Sequence, residues 1–167
     1  MVEMILGNTT SSEVKIVPMD RFFRGFFAGL LAGIPMNVWS LISYHVLDFG
    51  RLRFLDWMGI ILYGDFPVTF GEQAYALWVQ LFGLGYLGIL FAYLIPVTTS
   101  WWYIGKAVIF SGAFSFVAYA LPLLFRVPEL TAVPLNSVIS NHLGAGIWGI
   151  TLGYALQRLD TAARMKE

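Results

Sequence analysis

The sequence contains two histidines, His45 and His142, and no cysteine, so these imidazole rings are its main candidates for ligand chemistry. The lack of cysteine excludes disulfides, iron–sulfur clusters and thiolate metal sites. Two histidines on facing helices could hold a b-type haem, with Gly144 and Gly146 giving room for the ring and Arg126 meeting the propionates. One hypothesis is therefore a haem b or metal-binding redox protein that uses His45 and His142.

Four further polar side chains could contribute to a site. Glu72 could join the histidines at a metal, but no HExxH or comparable spacing supports one, and the capping-box pattern of residues 69–72 already explains this carboxylate. Asn37, Gln80 and Asn141 could line the polar cavity of a small-solute or lipid carrier. They could equally form hydrogen bonds between helices, which is the commoner use of such residues in membranes.

The elements that would position these side chains are transmembrane helices. Apolar residues make up 58% of the 167 residues, and charged residues 12%, about half the usual share in soluble domains. Four stretches without Asp, Glu, Lys or Arg are each long enough to cross a membrane once. They are residues 25–47, 73–105, 107–125 and 130–157. We expect an all-α integral membrane protein, an antiparallel four-transmembrane-helix bundle.

The predicted organisation is a polar N-terminal segment, 1–20, a single transmembrane domain, 21–159, and a tail, 160–167. The spans cover about 22–47, 73–96, 103–125 and 136–158. Between the first two spans, residues 51–64 are too few to cross the membrane and too apolar for a solvent loop. This segment predicts an extra amphipathic or re-entrant helix at the outer surface.

Basic residues indicate the orientation of the chain. Seven of them fall on the side of the termini, and only Arg51, Arg53 and Arg126 fall on the other. The seven are Lys15, Arg21, Arg24, Lys106, Arg158, Arg164 and Lys166. Because cytoplasmic loops carry the excess of Lys and Arg, we expect a multi-pass protein of the cell (inner) membrane with both termini cytoplasmic.

Small and polar residues form one stripe on each predicted span. Gln80, Gly83 and Leu87 share a face of the second span, and Ser111, Ser115 and Tyr119 share a face of the third. The first and fourth spans carry glycine stripes that predict close helix packing. These glycines are Gly25, Gly29, Gly33, Gly146, Gly149 and Gly153.

Several function classes are not expected. No Asp or Glu lies near the middle of a predicted span, which argues against a proton-coupled pump. Residues 25–47 lack the glutamate that small multidrug exporters carry in their first helix. No serine–histidine protease pattern or clustered acidic motif is present, so we do not expect catalysis. A net charge of zero gives no reason to expect a nucleic-acid partner.

The layout of the chain resembles small bacterial four-helix inner-membrane proteins of the YqhR and YagU kind. The resemblance is carried by RGFFAGLLAG opening the first span, His45 near its end, ILYGDF in the outer segment and HLGAGIWGITLGY in the last span. It implies the topology and a bacterial inner membrane, and it transfers no functional residue.

Three hypotheses follow for function. The first is a non-enzymatic polytopic membrane protein that acts through helix packing, as a homo-oligomer or as an accessory subunit of a membrane complex, with membrane lipids as its other partners. The second is the haem b or metal-binding redox protein, and the third is the small-solute or lipid carrier. The glycine stripes favour the first, because close helix approach is expected to leave little internal volume.

Overall fold

The computed structural model describes residues 19–98 and 101–164, and all regular secondary structure in these two ranges is helical. The long helices are α1 (Arg21–His45), α3 (Phe70–Thr98), α4 (Tyr103–Phe125) and α6 (Leu135–Arg164), and the short ones are α2 (Phe54–Tyr63) and α5 (Pro128–Thr131). Within the described ranges, α1, α3 and α4 are long and apolar enough to cross a membrane. The predicted all-helical class is confirmed.

Local capping fixes where two of the long helices begin. The Asp20 carboxylate accepts a hydrogen bond of 2.9 Å from the Phe23 N–H at the start of α1. At the start of α3, Glu72 Oε2 accepts from the Thr69 N–H at 2.9 Å, and Thr69 Oγ1 accepts from the Glu72 N–H at 3.2 Å. This reciprocal pair is the predicted capping box, so Glu72 is a helix cap.

The last helix, α6, is more polar than the other long helices and extends to Arg164, so it includes residues 160–164 of the predicted tail. Three of its polar residues, Ser137, Ser140 and Asn141, are buried. Ser140 Oγ lies 2.6 Å from Ser43 Oγ of α1. Buried polar contacts of this kind join α6 to α1.

The four long helices are arranged as an open row rather than a closed ring. α1 packs between α3 and α6, and α6 packs between α1 and α4. The backbones of α3 and α4 stay apart, and side chains such as Phe91 and Phe110, whose ring centroids are 5.4 Å apart, join these two helices. Each packed pair is antiparallel. Trp148 of α6 donates its indole N–H to the Gly29 carbonyl of α1 at 3.0 Å, and Arg24 forms an ion pair with Asp160 at 3.1 Å. We call the end that holds this ion pair the termini end, and the opposite end, where α2 lies, the α2 end.

Glycines bring the backbones together toward the termini end. A Cβ built on Gly25 would stand 2.7 Å from the Gly88 carbonyl oxygen of α3, and one on Gly29 would stand 2.9 Å from the Gly88 Cα. Gly33 faces the side chains of Leu81 and Leu84, which also belong to α3. The glycine stripe of the first span therefore packs on α3 of its own chain.

The stripe of the fourth span packs on α4, with one exception. Built Cβ atoms on Gly149 and Gly153 would lie 2.9 Å from the carbonyl oxygens of Ala107 and Tyr103, respectively. A Cβ on Gly146, by contrast, would meet no atom within 4 Å. Gly146 thus packs on none of the described helices, because it lies about 60° around α6 from Gly149 and misses α4.

Candidate functional site

A cavity of about 470 Å³ lies where α3 and α4 diverge, and residues of all six helices line it. Its walls are mostly apolar, with Met36 of α1, Leu84 of α3 and Trp148 of α6 among them. Pockets that hold drug-sized molecules have volumes of about 300–1,000 Å³ and walls of this composition. The volume and lining are therefore those of a site for a small apolar molecule.

One side of the cavity is open. On α4, the lining residues Phe114 and Leu121 are 41% and 46% exposed, and Phe125 is exposed as well. On α3 the lining includes Gly83, where an added Cβ would meet no atom within 4 Å. The opening therefore lies between α3 and α4, on a side of the protein where apolar side chains point outward.

The short helix α2 covers the cavity at the α2 end. Its Trp57 meets Tyr119 of α4 edge to face, with 4.8 Å between ring centroids. Asn141 of α6 joins both side chains: with its amide oxygen toward the indole, it accepts from Trp57 Nε1 at 3.2 Å and from the Tyr119 hydroxyl at 3.1 Å. Its amide nitrogen then donates to the Leu52 carbonyl at 3.3 Å. We assign this orientation because an indole N–H only donates and a carbonyl only accepts.

An ion pair stabilises the first turn of α2. Arg53 Nη2 lies 2.7 Å from Asp56 Oδ1, and the Arg53 backbone N–H donates to Asp56 Oδ2 at 2.7 Å. The side-chain hydrogen bond to Asp56 raises the pKa of the Arg53 guanidinium. This guanidinium also lies 4.8 Å from the centre of the Tyr44 ring, which links α2 to the end of α1.

Gln80 is the unusual residue of the cavity wall. Its side chain lines the cavity and is only 6% exposed, yet neither Nε2 nor Oε1 has a hydrogen-bond partner in the described part of the protein. Buried polar atoms are almost always paired, because an unpaired one loses its hydrogen bonds to water without replacement. An amide left in this state faces the space where a ligand would lie.

The structure separates the three amides proposed as cavity residues. Gln80 and Asn141 line the cavity, but Asn37 does not, because its Nδ2 donates to the Gly33 carbonyl one turn earlier in α1 at 2.8 Å. The stripes of the second and third spans also reach the cavity, through Gly83 and Ser115 among others. These inward faces surround an internal space, and the expectation of little internal volume is wrong, because the close backbone contacts lie toward the termini end.

The two histidines are not brought together. His142 stacks on Tyr119 of α4, with 5.3 Å between ring centroids, and its Nδ1 lies 2.8 Å from the Val138 carbonyl. His45, at the end of α1, meets only Tyr44 edge to face among the ring contacts of the described residues. Since α6 lies between α1 and α4, a ring turned toward α4 faces away from α1.

The other residues that the haem hypothesis invoked also have different roles in the structure. A Cβ built on Gly144 would stand 2.5 Å from the Phe54 ring, so this position is filled by α2 and leaves no room for a porphyrin. Arg126 ends α4 in a left-handed conformation and is exposed. No group of three or more His, Asp or Glu side chains among residues 19–98 and 101–164 could hold a metal ion.

Sequence reasoning missed the aromatic part of the site. Trp57 and Trp148 line the cavity and are both buried, but in a chain this apolar a tryptophan is ordinarily expected at the lipid or at the interface. The only signal lay in their positions. Trp148 precedes Gly149 of the packing stripe, and Trp57 lies in the segment predicted to be amphipathic.

Comparison with known proteins adds no family to this description: no family model, no curated protein and no solved structure matches the chain.

Proposed function

We propose that this protein is a four-span membrane protein that binds a long-chain, lipid-like molecule in the cavity between α3 and α4. The observation that carries the proposal is the cavity itself, with its volume of about 470 Å³, its apolar wall and its opening on an apolar flank. A molecule dissolved in the bilayer would enter sideways, without crossing water. This proposal corresponds to the third hypothesis, the small-solute or lipid carrier, and restricts the bound molecule to one with an apolar chain.

The four-span arrangement is supported by the pairing of α6 with α1. Contacts between them run from the Arg24–Asp160 ion pair at one end to the Ser43–Ser140 contact at the other. α6 therefore accompanies α1 along most of its length, and three of its polar residues, Ser137, Ser140 and Asn141, are buried against protein, where they need not face lipid. If α1 crosses a membrane, α6 crosses beside it.

The cell (inner) membrane and cytoplasmic termini remain part of the proposal, on the excess of basic residues at the termini end. The glycine stripes no longer argue for a homo-oligomer or an accessory subunit, because Gly25, Gly29, Gly149 and Gly153 pack within the chain. Resemblance to the YqhR and YagU kind agrees with this membrane and topology.

Photo-crosslinking with a hexadecane that carries a diazirine at mid-chain tests the binding proposal. In membranes or nanodiscs, we expect adducts on cavity residues such as Leu87 and Trp148. Gly83→Leu puts a side chain into the cavity where nothing obstructs it, and should reduce these adducts several-fold. Gly112→Leu is the matched control, since Gly112 is also an unobstructed helix glycine but does not line the cavity.

Two results would contradict the proposal. Adducts spread evenly over the lipid-facing side chains would show that the probe only samples the bilayer. Equal labelling of the cavity residues in the Gly83→Leu and Gly112→Leu variants would show that the cavity is not where the chain lies.

A further inference from the structure

We infer that Gln80 selects the polar group of the bound molecule, and that this group is an uncharged O–H, carried by a long-chain alcohol or a protonated carboxylic acid. The inference rests on the proposed function, because it takes a chain bound in the cavity as given. It adds which polar group the bound molecule must carry and where along the cavity that group lies.

The hydrogen-bonding capacity of Gln80 requires a group that both accepts and donates a hydrogen bond. Its amide has donors on Nε2 and an acceptor on Oε1, and both atoms are buried without a partner. A ketone, ester or ether only accepts, so it would pair with Nε2 and leave Oε1 unpaired. An ammonium group only donates and would leave Nε2 unpaired. A hydroxyl accepts from Nε2 and donates to Oε1, and so satisfies both.

The charge of the lining determines that the group is neutral. None of the described residues that line the cavity is Asp, Glu, Lys, Arg or His. A phosphate, carboxylate or quaternary ammonium buried there would have no counter-ion, which is strongly unfavourable in an apolar environment. Phospholipid headgroups are therefore excluded from the Gln80 position.

The position of Gln80 also sets the depth of the polar group. It lies ten residues into α3, about 15 Å along the helix axis from Phe70. If α3 crosses the bilayer, that depth is inside the hydrocarbon, well below the headgroups. Ser115 of α4 lines the same cavity, and its hydroxyl is a second hydrogen-bonding group, besides the Gln80 amide, for a molecule held there. The bound molecule would thus have its polar end near the middle of the membrane.

Competition against the diazirine-labelled hexadecane tests this selection. Unlabelled 1-hexadecanol, hexadecanoic acid, methyl hexadecyl ether and hexadecane share one chain length and differ in hydrogen bonding. We expect hexadecanol or the acid to displace the probe from wild-type protein at concentrations about three- to tenfold lower than the ether or the alkane, the effect of roughly one hydrogen bond. Whichever of the two competes better identifies the source of the O–H group.

Gln80→Leu separates the two proposals. We expect this variant to lose the preference for the O–H compounds over the ether and the alkane, because the amide that pairs with the O–H group is removed. Equal competition by the alcohol, the acid, the ether and the alkane in wild-type protein would overturn the selection by Gln80 and leave the proposed function standing. Loss of all labelling difference between Gly83→Leu and Gly112→Leu would instead overturn the proposed function.

Discussion

Gly29 of α1 and Gly88 of α3 lie back to back, and a Cβ built on Gly88 would stand 2.8 Å from the Cα of Gly29. Their contact holds α1 and α3 together toward the termini end, as Gly149 and Gly153 hold α6 to α4. Beyond these contacts α3 and α4 diverge, with the cavity between them and α2 across its end. Close packing at one end and internal space at the other are thus consequences of the same arrangement.

Substitution of Gly88 should therefore destabilise the protein. Gly88→Ala forces a methyl group against the backbone of α1, and we expect a loss of about 1–3 kcal/mol in the free energy of unfolding. Gly83→Ala, five residues earlier in the same helix, meets no atom within 4 Å and should be neutral or stabilising by about 0.5–1 kcal/mol, because alanine favours the helix. Thermal unfolding in one detergent measures both. Similar melting temperatures for the two variants would contradict the packing described here.

Removal of the Gln80 amide should make the purified protein more stable. Leucine in its place has no unpaired polar atoms, and relief of an unsatisfied buried amide is worth about 1–3 kcal/mol. The melting temperature of Gln80→Leu should exceed that of wild type when no lipid is added. Gln157→Leu, a change at an exposed glutamine of α6, serves as the control and should have a smaller effect. A lower melting temperature for Gln80→Leu would mean that the amide has a structural partner.

The attachment of α2 can be tested through Asn141 and Tyr119. Asn141→Ala leaves the Trp57 indole and the Tyr119 hydroxyl without their shared partner, whereas Tyr119→Phe removes one hydroxyl and keeps the ring contact with Trp57. A double-mutant cycle on the free energy of unfolding should give a coupling of about 0.5–1.5 kcal/mol. Strictly additive effects would show that the hydrogen bond between the two side chains makes no contribution.

The arrangement of the helices argues against the haem hypothesis, and absorption spectra can test it. Because His142 stacks on Tyr119 of α4 while the ring contact of His45 is with Tyr44 of its own helix, we expect purified protein offered haem to give no Soret band that depends on both residues. Absorption spectra of wild type, His45→Ala and His142→Ala, before and after reduction with dithionite, measure this. A Soret band that sharpens on reduction and disappears in each variant would restore the redox hypothesis.

The orientation of the protein can be tested with reporters at its two ends. The Arg24–Asp160 ion pair places the start of α1 and the end of α6 at the same end of the bundle. Reporters fused to the N-terminus and to the C-terminus should therefore agree, and the excess of basic residues predicts that both are cytoplasmic. Opposite signals from the two fusions would be incompatible with the four-span arrangement.

The positions of the helices could be predicted because each depends on local sequence. Charge-free stretches of about 20 residues or more predicted the long helices. The capping box at Thr69 and Glu72 follows from a spacing of three residues. The glycine stripes indicated close packing, and built Cβ atoms on all of their glycines except Gly146 would contact the neighbouring helix. The stripes could not identify the packing partner, since a glycine face accepts a neighbouring helix of the same chain or of another equally well.

The amide residues show where local reasoning ends. Asn37, Gln80 and Asn141 are equivalent in the sequence, each being polar within an apolar stretch. In the structure Asn37 donates a hydrogen bond within its own helix, and Asn141 joins α2 to α4. Gln80 faces the cavity and has no hydrogen-bond partner among residues 19–98 and 101–164. Their different uses depend on which residues lie opposite, and for Asn141 two of these, Leu52 and Trp57, are 89 and 84 residues away in the sequence.

By itself, the sequence determined that this is a helical chain with segments suited to a membrane, where those segments begin, and which of their faces turn inward. These properties depend on composition and on the helical repeat. Only the tertiary structure decided that α3 and α4 stay apart, that α2 covers the gap and that Gln80 lies beside it. Such features arise from the order in which helices pack, and an internal cavity is defined by contacts that are not made, for which a sequence has no pattern.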